Sequence, residues 1–181
     1  MKHDINYFHI KYTGVHDENF NTRSECYAFL NIWRTYTEQN LQTCAYAVAG
    51  NNFECVVATR AFGVHEMEKL KAFIQKMFVV KMRGLWPEEN IKDFTDNLRV
   101  NALLSEKECV YKVFDIHTLP QRCGRSTDYR TYPFSSYRAL ASQKTSMLAK
   151  PVVWQWFGGR MRFAAFHQAY AGWMSTKQLT A

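Results

Sequence analysis

The chain has 181 residues and a formal net charge of +7, with 23 Lys and Arg against 16 Asp and Glu. At 47% hydrophobic and 15% aromatic residues it is too apolar for a disordered chain, and its length suits one well-cored domain (1–181) better than two. No apolar run approaches the roughly 18 residues of a membrane span, and no h-region follows Met1-Lys2-His3-Asp4, so a soluble, unsecreted protein is expected.

Ile5–Tyr12 is β-branched and aromatic and predicts a strand. Thr22-x-x-Glu25 is capping-box chemistry, and Cys26, Phe29, Leu30 and Trp33 behind it fall at helical spacing, giving a helix to about Gln39. Leu41–Ala49 and Phe53–Thr59 are strand-like runs joined by Gly50-Asn51-Asn52, a hairpin connection because Gly and Asn tolerate positive φ. Met67, Leu70, Ile74, Met77 and Phe78 predict a helix over about 65–82, broken by Gly84 and Pro87. Leu98, Val100 and Ala102 alternate as a fourth strand. Ser105-x-x-Glu108 is a second capping box, opening a helix with Cys109, Val110, Val113 and Ile116 on one side and Pro120 and Gly124 at its end. The expected fold class is α+β: a ferredoxin-like βαββαβ core (about 5–118), an antiparallel sheet with helices on one face, followed by a helical, Arg-rich extension (about 119–181).

The charge is unevenly placed. Residues 1–115 hold 14 basic and 15 acidic side chains, whereas residues 116–181 hold nine basic and one acidic, Asp128. An acid-poor final third points to an anionic partner. The usual motifs are missing: neither G-x-x-x-x-G-K-[ST] nor G-x-G-x-x-G occurs, and H-E-x-x-H and zinc-type Cys/His spacings are also absent. The six histidines are scattered, and Asn52–Val57 lacks the basic-Gly-aromatic start of an RNA-recognition strand. Five cysteines with no C-x-x-C pair read as buried free thiols of a reducing compartment.

Tyr132-Pro133-Phe134-Ser135-Ser136-Tyr137-Arg138 resembles the Tyr-Pro-Trp-Ser-Ser-Tyr-Arg segment of REP-associated tyrosine transposases, single-tyrosine HUH transposases of small insertion sequences. Upstream, Asp115-Ile116-His117-Thr118-Leu119-Pro120-Gln121-Arg122-Cys123-Gly124 is similar to that family's Tyr-Ile-His-Leu-Asn-Pro-Val-Arg-Ala-Gly. Cys44–Val56 sits where the family has Ala-Tyr-x-x-Met-Pro-Asn-His-x-His-Leu, and the similarity extends in order over most of residues 5–170.

The resemblance implies a ferredoxin-like fold and a strand carrying two His that hold a divalent metal, with a tyrosine on the following helix attacking DNA. This chain departs from that set at all three places. Asn52 and Glu54 stand at the paired His positions, and Asp115 stands at the tyrosine. No catalytic residue or cofactor is therefore expected. Asn52 and Glu54 remain oxygen donors suited to Mg²⁺ or Mn²⁺ if the site is rebuilt. Tyr111, one turn before Asp115, is the nearby substitute nucleophile and reads first as a packing residue.

What the resemblance retains is a grip on hairpin or single-stranded DNA, through Arg122, Arg125, Arg130, Arg138, Arg160 and Arg162. Tyr129, Tyr132, Tyr137, Trp154 and Trp156 are either stacking faces or core. Expected partners are DNA and, by analogy, a second copy of the chain, with no membrane and a cytoplasmic, nucleoid-associated location. The competing readings are a metal-dependent nuclease built on Glu54, Asp115 or Tyr111, and a scaffold whose basic third binds an acidic protein.

Overall fold

The computed structural model describes residues 5–15, 20–37 and 39–178; Met1–Asp4 and His16 fall outside them. The elements in chain order are β1 (Asn6–Thr13), α1 (Arg23–Thr37), β2 (Gln42–Ala49), β3 (Asn52–Thr59), α2 (Met67–Met82), α3 (Glu88–Asn97), β4 (Leu98–Leu103) and α4 (Glu106–Arg122). A 3-10 turn at Tyr129–Thr131 then leads to α5 (Tyr137–Ala141), α6 (Lys150–Phe157) and α7 (Arg160–Gln178). The strands form one antiparallel sheet in the order β2-β3-β1-β4, the ferredoxin-like arrangement within an α+β fold.

Local chemistry sets the element ends. Glu25 N–H donates to Thr22 Oγ1 (3.2 Å) and Thr22 N–H to Glu25 Oε2 (2.8 Å), the full capping box opening α1. At α4 the box is half-formed: Glu108 N–H reaches Ser105 Oγ (3.2 Å), but the Glu108 carboxylate accepts from Leu104 N–H (3.0 Å). In the β2–β3 turn Gly50 takes φ +62° while Asn51 does not, the pattern that places Gly first of two turn residues.

Three expectations need correction, helices on one face of the sheet among them, since α4 packs on the face opposite α1, α2 and α3. The segment after Pro87 is helical: Pro87 precedes Glu88 and Glu89 in the first turn, and only Ile91 and Phe94 are buried, too thin a stripe to register as periodicity. Pro120 also does not end α4. The proline lacks a donor for Ile116, yet the helix runs to Arg122 and closes in a Schellman turn. There Gly124 sits at φ +67°, its N–H donates to Gln121 O (3.1 Å), and Arg125 N–H donates to Pro120 O (2.8 Å).

The sheet is covered on both faces. On one, α1, α2 and α3 lay Phe29, Trp33, Phe78 and Phe94 against Phe8, Ile10, Tyr12, Phe53 and Val57. Phe29 meets Phe20 and Phe53 edge-on at 4.7 Å each, geometry worth roughly 0.5–1.5 kcal/mol per pair beyond buried area. The other face of β2 and β3 is lined by Ala45, Ala47, Ala49, Val56 and Ala58, small enough for α4 to lie close over it. The extension packs here too, with Trp156 edge-on to Tyr7 at 4.9 Å. Toward the start of β4 this face stays open, and Arg99 and Asn101 are exposed. Among the described residues no helix is long and apolar enough to cross a membrane.

Candidate nucleic-acid interface

Strand periodicity sends Phe53 and Cys55 into the aromatic core and Glu54 to the face of α4. Lys11 pairs opposite Glu54 in the β1–β3 register, and His9, two residues back, shares that face. His9 Nε2 lies 3.0 Å from Glu54 Oε2 and Lys11 Nζ lies 3.5 Å from Oε1. Glu54 is 4% exposed. Burial works to raise its pKa, but the His9 hydrogen bond and the charges of His9, Lys11 and Arg122 outweigh it and hold the carboxyl below its ordinary range.

The end of α4 closes over this spot. Asn52 is tied into the turn: Thr13 Oγ1 donates to its Oδ1 (3.0 Å), and its amide reaches Asn51 Oδ1 (2.8 Å) and Cys123 Sγ (3.6 Å). Cys44, Cys55, Cys26 and Cys109 are buried, whereas Cys123 is half-buried. Burial raises the Cys123 pKa, and the charges of Arg122, Glu54, Arg125 and Lys11 all act on it.

Asp115 lies two turns back along α4. Its carbonyl accepts from Arg122 Nη2 (2.9 Å) and its carboxylate is 3.5 Å from Lys112 Nζ. Arg122 is thus the group that joins the neighbourhood of Asp115 to that of Glu54. Tyr111 is 47% exposed on the same flank of α4 and is not the packing residue expected, because the buried stripe runs through Cys109, Val113, Ile116 and Pro120.

A divalent metal does not fit this donor set. The Glu54 carboxylate is occupied by His9 and Lys11, and Asn52 is committed to the turn. Among the described residues no group of three His, Cys, Asp or Glu side chains gathers.

The six arginines have different surroundings. Arg122, Arg125, Arg138 and Arg162 are exposed. Arg125 bonds Asn21 Oδ1 (2.9 Å) and lies so close to the β2–β3 turn that a Cβ on Gly50 would sit 3.3 Å from its Nε. Arg130 is gripped by Asp128, with Nε and Nη2 bonds of 2.8–3.1 Å, and its charge is neutralised locally. Arg160 donates to Ala141 O (3.1 Å). Lys150, counted in the basic third, is buried and donates to the carbonyls of Ser142 and Lys144.

The five aromatics considered as stacking platforms are spent on the fold. Tyr129 donates to His167 O (2.8 Å), Tyr132 to Val48 O (2.9 Å) and Trp154 to Leu140 O (2.9 Å). Tyr137 stacks on Phe163, and Trp156 is 8% exposed.

The sequence blocks that carry the family resemblance meet in the interior. Residues 134–136 run along the free edge of β2: Val48 N–H donates to Phe134 O (3.0 Å) and Ser136 N–H to Tyr46 O (2.9 Å). Ser136 Oγ accepts from Tyr46 N–H (2.9 Å) and lies 2.8 Å from His117 Nε2. His117 Nδ1 lies 2.8 Å from His167 Nε2, and His167 Nδ1 is 2.9 Å from Phe163 O.

A carbonyl only accepts, which fixes every proton along this chain. His167 donates through Nδ1, His117 donates through Nδ1 to His167, and Ser136 donates to His117. All three residues are fully buried. Burial pushes the His117 pKa well down and, despite the Phe163 carbonyl, that of His167 down to about 4. The Ser–His–His arrangement has no opening for a substrate. It is a clasp binding α4, the 134–136 segment and α7.

The fold is matched elsewhere. A REP-associated tyrosine transposase bound to a REP hairpin aligns with a TM-score of 0.53 and 16% identity, over 81% of this chain and 85% of that one. The chain shares that transposase's fold. No protein-family model and no curated protein matches the chain.

Three contributors to the site were not among the residues singled out from the sequence. His9 and Lys11 acquire meaning only from the β1–β3 register, although a strand alternating His and Lys with aromatics offered a clue. His167, fifty residues from His117, had none.

Proposed function

We propose that this protein binds hairpin or single-stranded DNA through its basic final third and does not cut it. The observation that carries this reading is the acid-poor set of exposed arginines, Arg122, Arg125, Arg138 and Arg162, on a fold shared with a hairpin-bound transposase. Arginine suits the role because its planar fork pairs with phosphate oxygens in two bonds. The lack of cutting follows from the family resemblance, which sets Asn52 and Glu54 at the paired metal-binding histidines and Asp115 at the nucleophile. The Glu54 ion pairs further support it, since they occupy the carboxylate that a rebuilt centre needs. One observation favours the nuclease reading: the exposure of Tyr111 on the flank it shares with Asp115.

A gel-shift series with a DNA hairpin at rising salt tests the binding. The association constant should fall steeply with salt, and loss of each phosphate contact should flatten the logarithmic slope by about 0.7–0.9. Replacing Arg122 and Arg125 together with alanine should therefore lower the slope by roughly 1.5. Arg130→Ala should leave it unchanged, because Asp128 already neutralises that charge. Absence of a shift at low salt, or a shift indifferent to salt, contradicts the proposal.

A further inference from the structure

We propose that Lys11 and Arg122, seated over Glu54, hold a DNA phosphate without a divalent metal, in the place where the family resemblance puts a metal centre. The inference rests on the DNA-binding reading above and adds a contact that the charge partition does not contain, since Lys11 belongs to the near-neutral part of the sequence.

The charges decide which ion the spot accepts. Around Cys123 stand three cations, Lys11, Arg122 and Arg125, and one anion, Glu54. Their sum is two positive charges, with His9 supplying a further hydrogen bond to the carboxylate. A divalent cation arriving here has to displace Lys11 and His9 from Glu54 and then sit beside the remaining cations. A phosphodiester, carrying one negative charge, meets the opposite field.

Hydrogen-bonding capacity agrees. The Lys11 ammonium has three donors and its side chain is 45% exposed, so pairing with Glu54 at 3.5 Å leaves it donors to spare and access to solvent. Arg122 has five N–H groups and is exposed, with Nη2 bonded to the Asp115 carbonyl. Glu54 is the buried floor that fixes the direction of Lys11. The open sheet beside it, at Arg99 and Asn101, leaves room for a strand of nucleic acid to approach.

The test is fluorescence anisotropy of a labelled DNA hairpin with wild-type protein, Lys11→Ala and Lys11→Arg, in excess EDTA and again with Mg²⁺ or Mn²⁺ at constant ionic strength. Wild-type affinity should be as high in EDTA as with either metal. Lys11→Ala should bind about fivefold more weakly at physiological salt, with a salt slope shallower by about 0.7–0.9, as counterion release from one phosphate contact gives. Lys11→Arg should restore both.

Bound hairpin should also slow alkylation of Cys123 in the wild type. Tighter binding with metal than with EDTA overturns the proposal, as does a Lys11→Ala variant with unchanged affinity and slope. If these results occur while Arg122→Ala and Arg125→Ala still weaken binding, the clamp falls and the DNA-binding reading stands. If the wild type binds no hairpin, both fall.

Discussion

His117→Ala is expected to lower folding stability by about 3–5 kcal/mol, read as a fall in the urea midpoint at unchanged slope. Two costs combine. Removing a ring that is 0% exposed leaves a cavity between α4, α5 and α7 that packed neighbours fill only in part. The substitution also strands Ser136 Oγ–H and the ring nitrogen of His167, both 2.8 Å from His117 at present. Each buried polar group left unpaired costs about 1–3 kcal/mol. Ser136→Ala should cost less, because it makes almost no cavity, although it leaves Tyr46 N–H and His117 Nε2 unpaired. A His117→Ala protein as stable as the wild type would refute the clasp as a structural device.

The same cluster predicts a sharp loss of stability in mild acid. His167 has its pKa lowered from 6.5 to about 4 by burial, and burial lowers that of His117 in the same direction. Between those values the unfolded chain takes up a proton that the folded chain refuses, so stability rises with pH there. The contribution is fully present above pH 6.5 and drains away as pH falls toward 4. From His167 alone the loss comes to about 3 kcal/mol, and His117 adds to it.

Glu54 acts in a lower window. Its depressed pKa gives stability that is present above 4.5 and is lost only as pH falls through the folded value. Urea midpoints measured from pH 7 downward check this: the wild type should weaken steeply before carboxylates titrate, and a flat profile down to pH 5 contradicts it.

These two expectations explain what the sequence could and could not reveal. The order of strands and helices was readable because hydrophobic spacing, capping boxes and Gly-Asn turns are local. The aromatic helices over the sheet follow directly from it. α3 escaped because a helix with two buried residues leaves almost no periodic trace, although Pro87-Glu88-Glu89 was a usable start signal. The run of α4 past Pro120 escaped because the following Schellman turn, not the proline, sets the end.

The site was legible in a different sense. Asn52, Glu54 and Asp115 stand out only against the family pattern that the chain resembles, and the structure gives their surroundings a separate meaning. Glu54 is an ion-paired floor, Asn52 a turn fastener, and Asp115 the residue whose carbonyl steadies Arg122. His117 and Ser136 lie inside the very blocks that carry the resemblance, and both belong to the clasp. Those blocks therefore speak for the scaffold. Charge counting had the opposite weakness: it treated Arg130 and Lys150 as equal to Arg122, whereas one is neutralised by Asp128 and the other is buried on carbonyls.

The central claim is a DNA grip without cleavage, and one incubation tests it most directly. End-labelled hairpin DNA is mixed with the protein and Mn²⁺, and the same sample is run on native and denaturing gels. The account predicts a retarded band on the native gel and only full-length DNA on the denaturing gel. A shortened product, or a covalent adduct that disappears in Tyr111→Phe, would contradict it and establish the rebuilt nuclease instead.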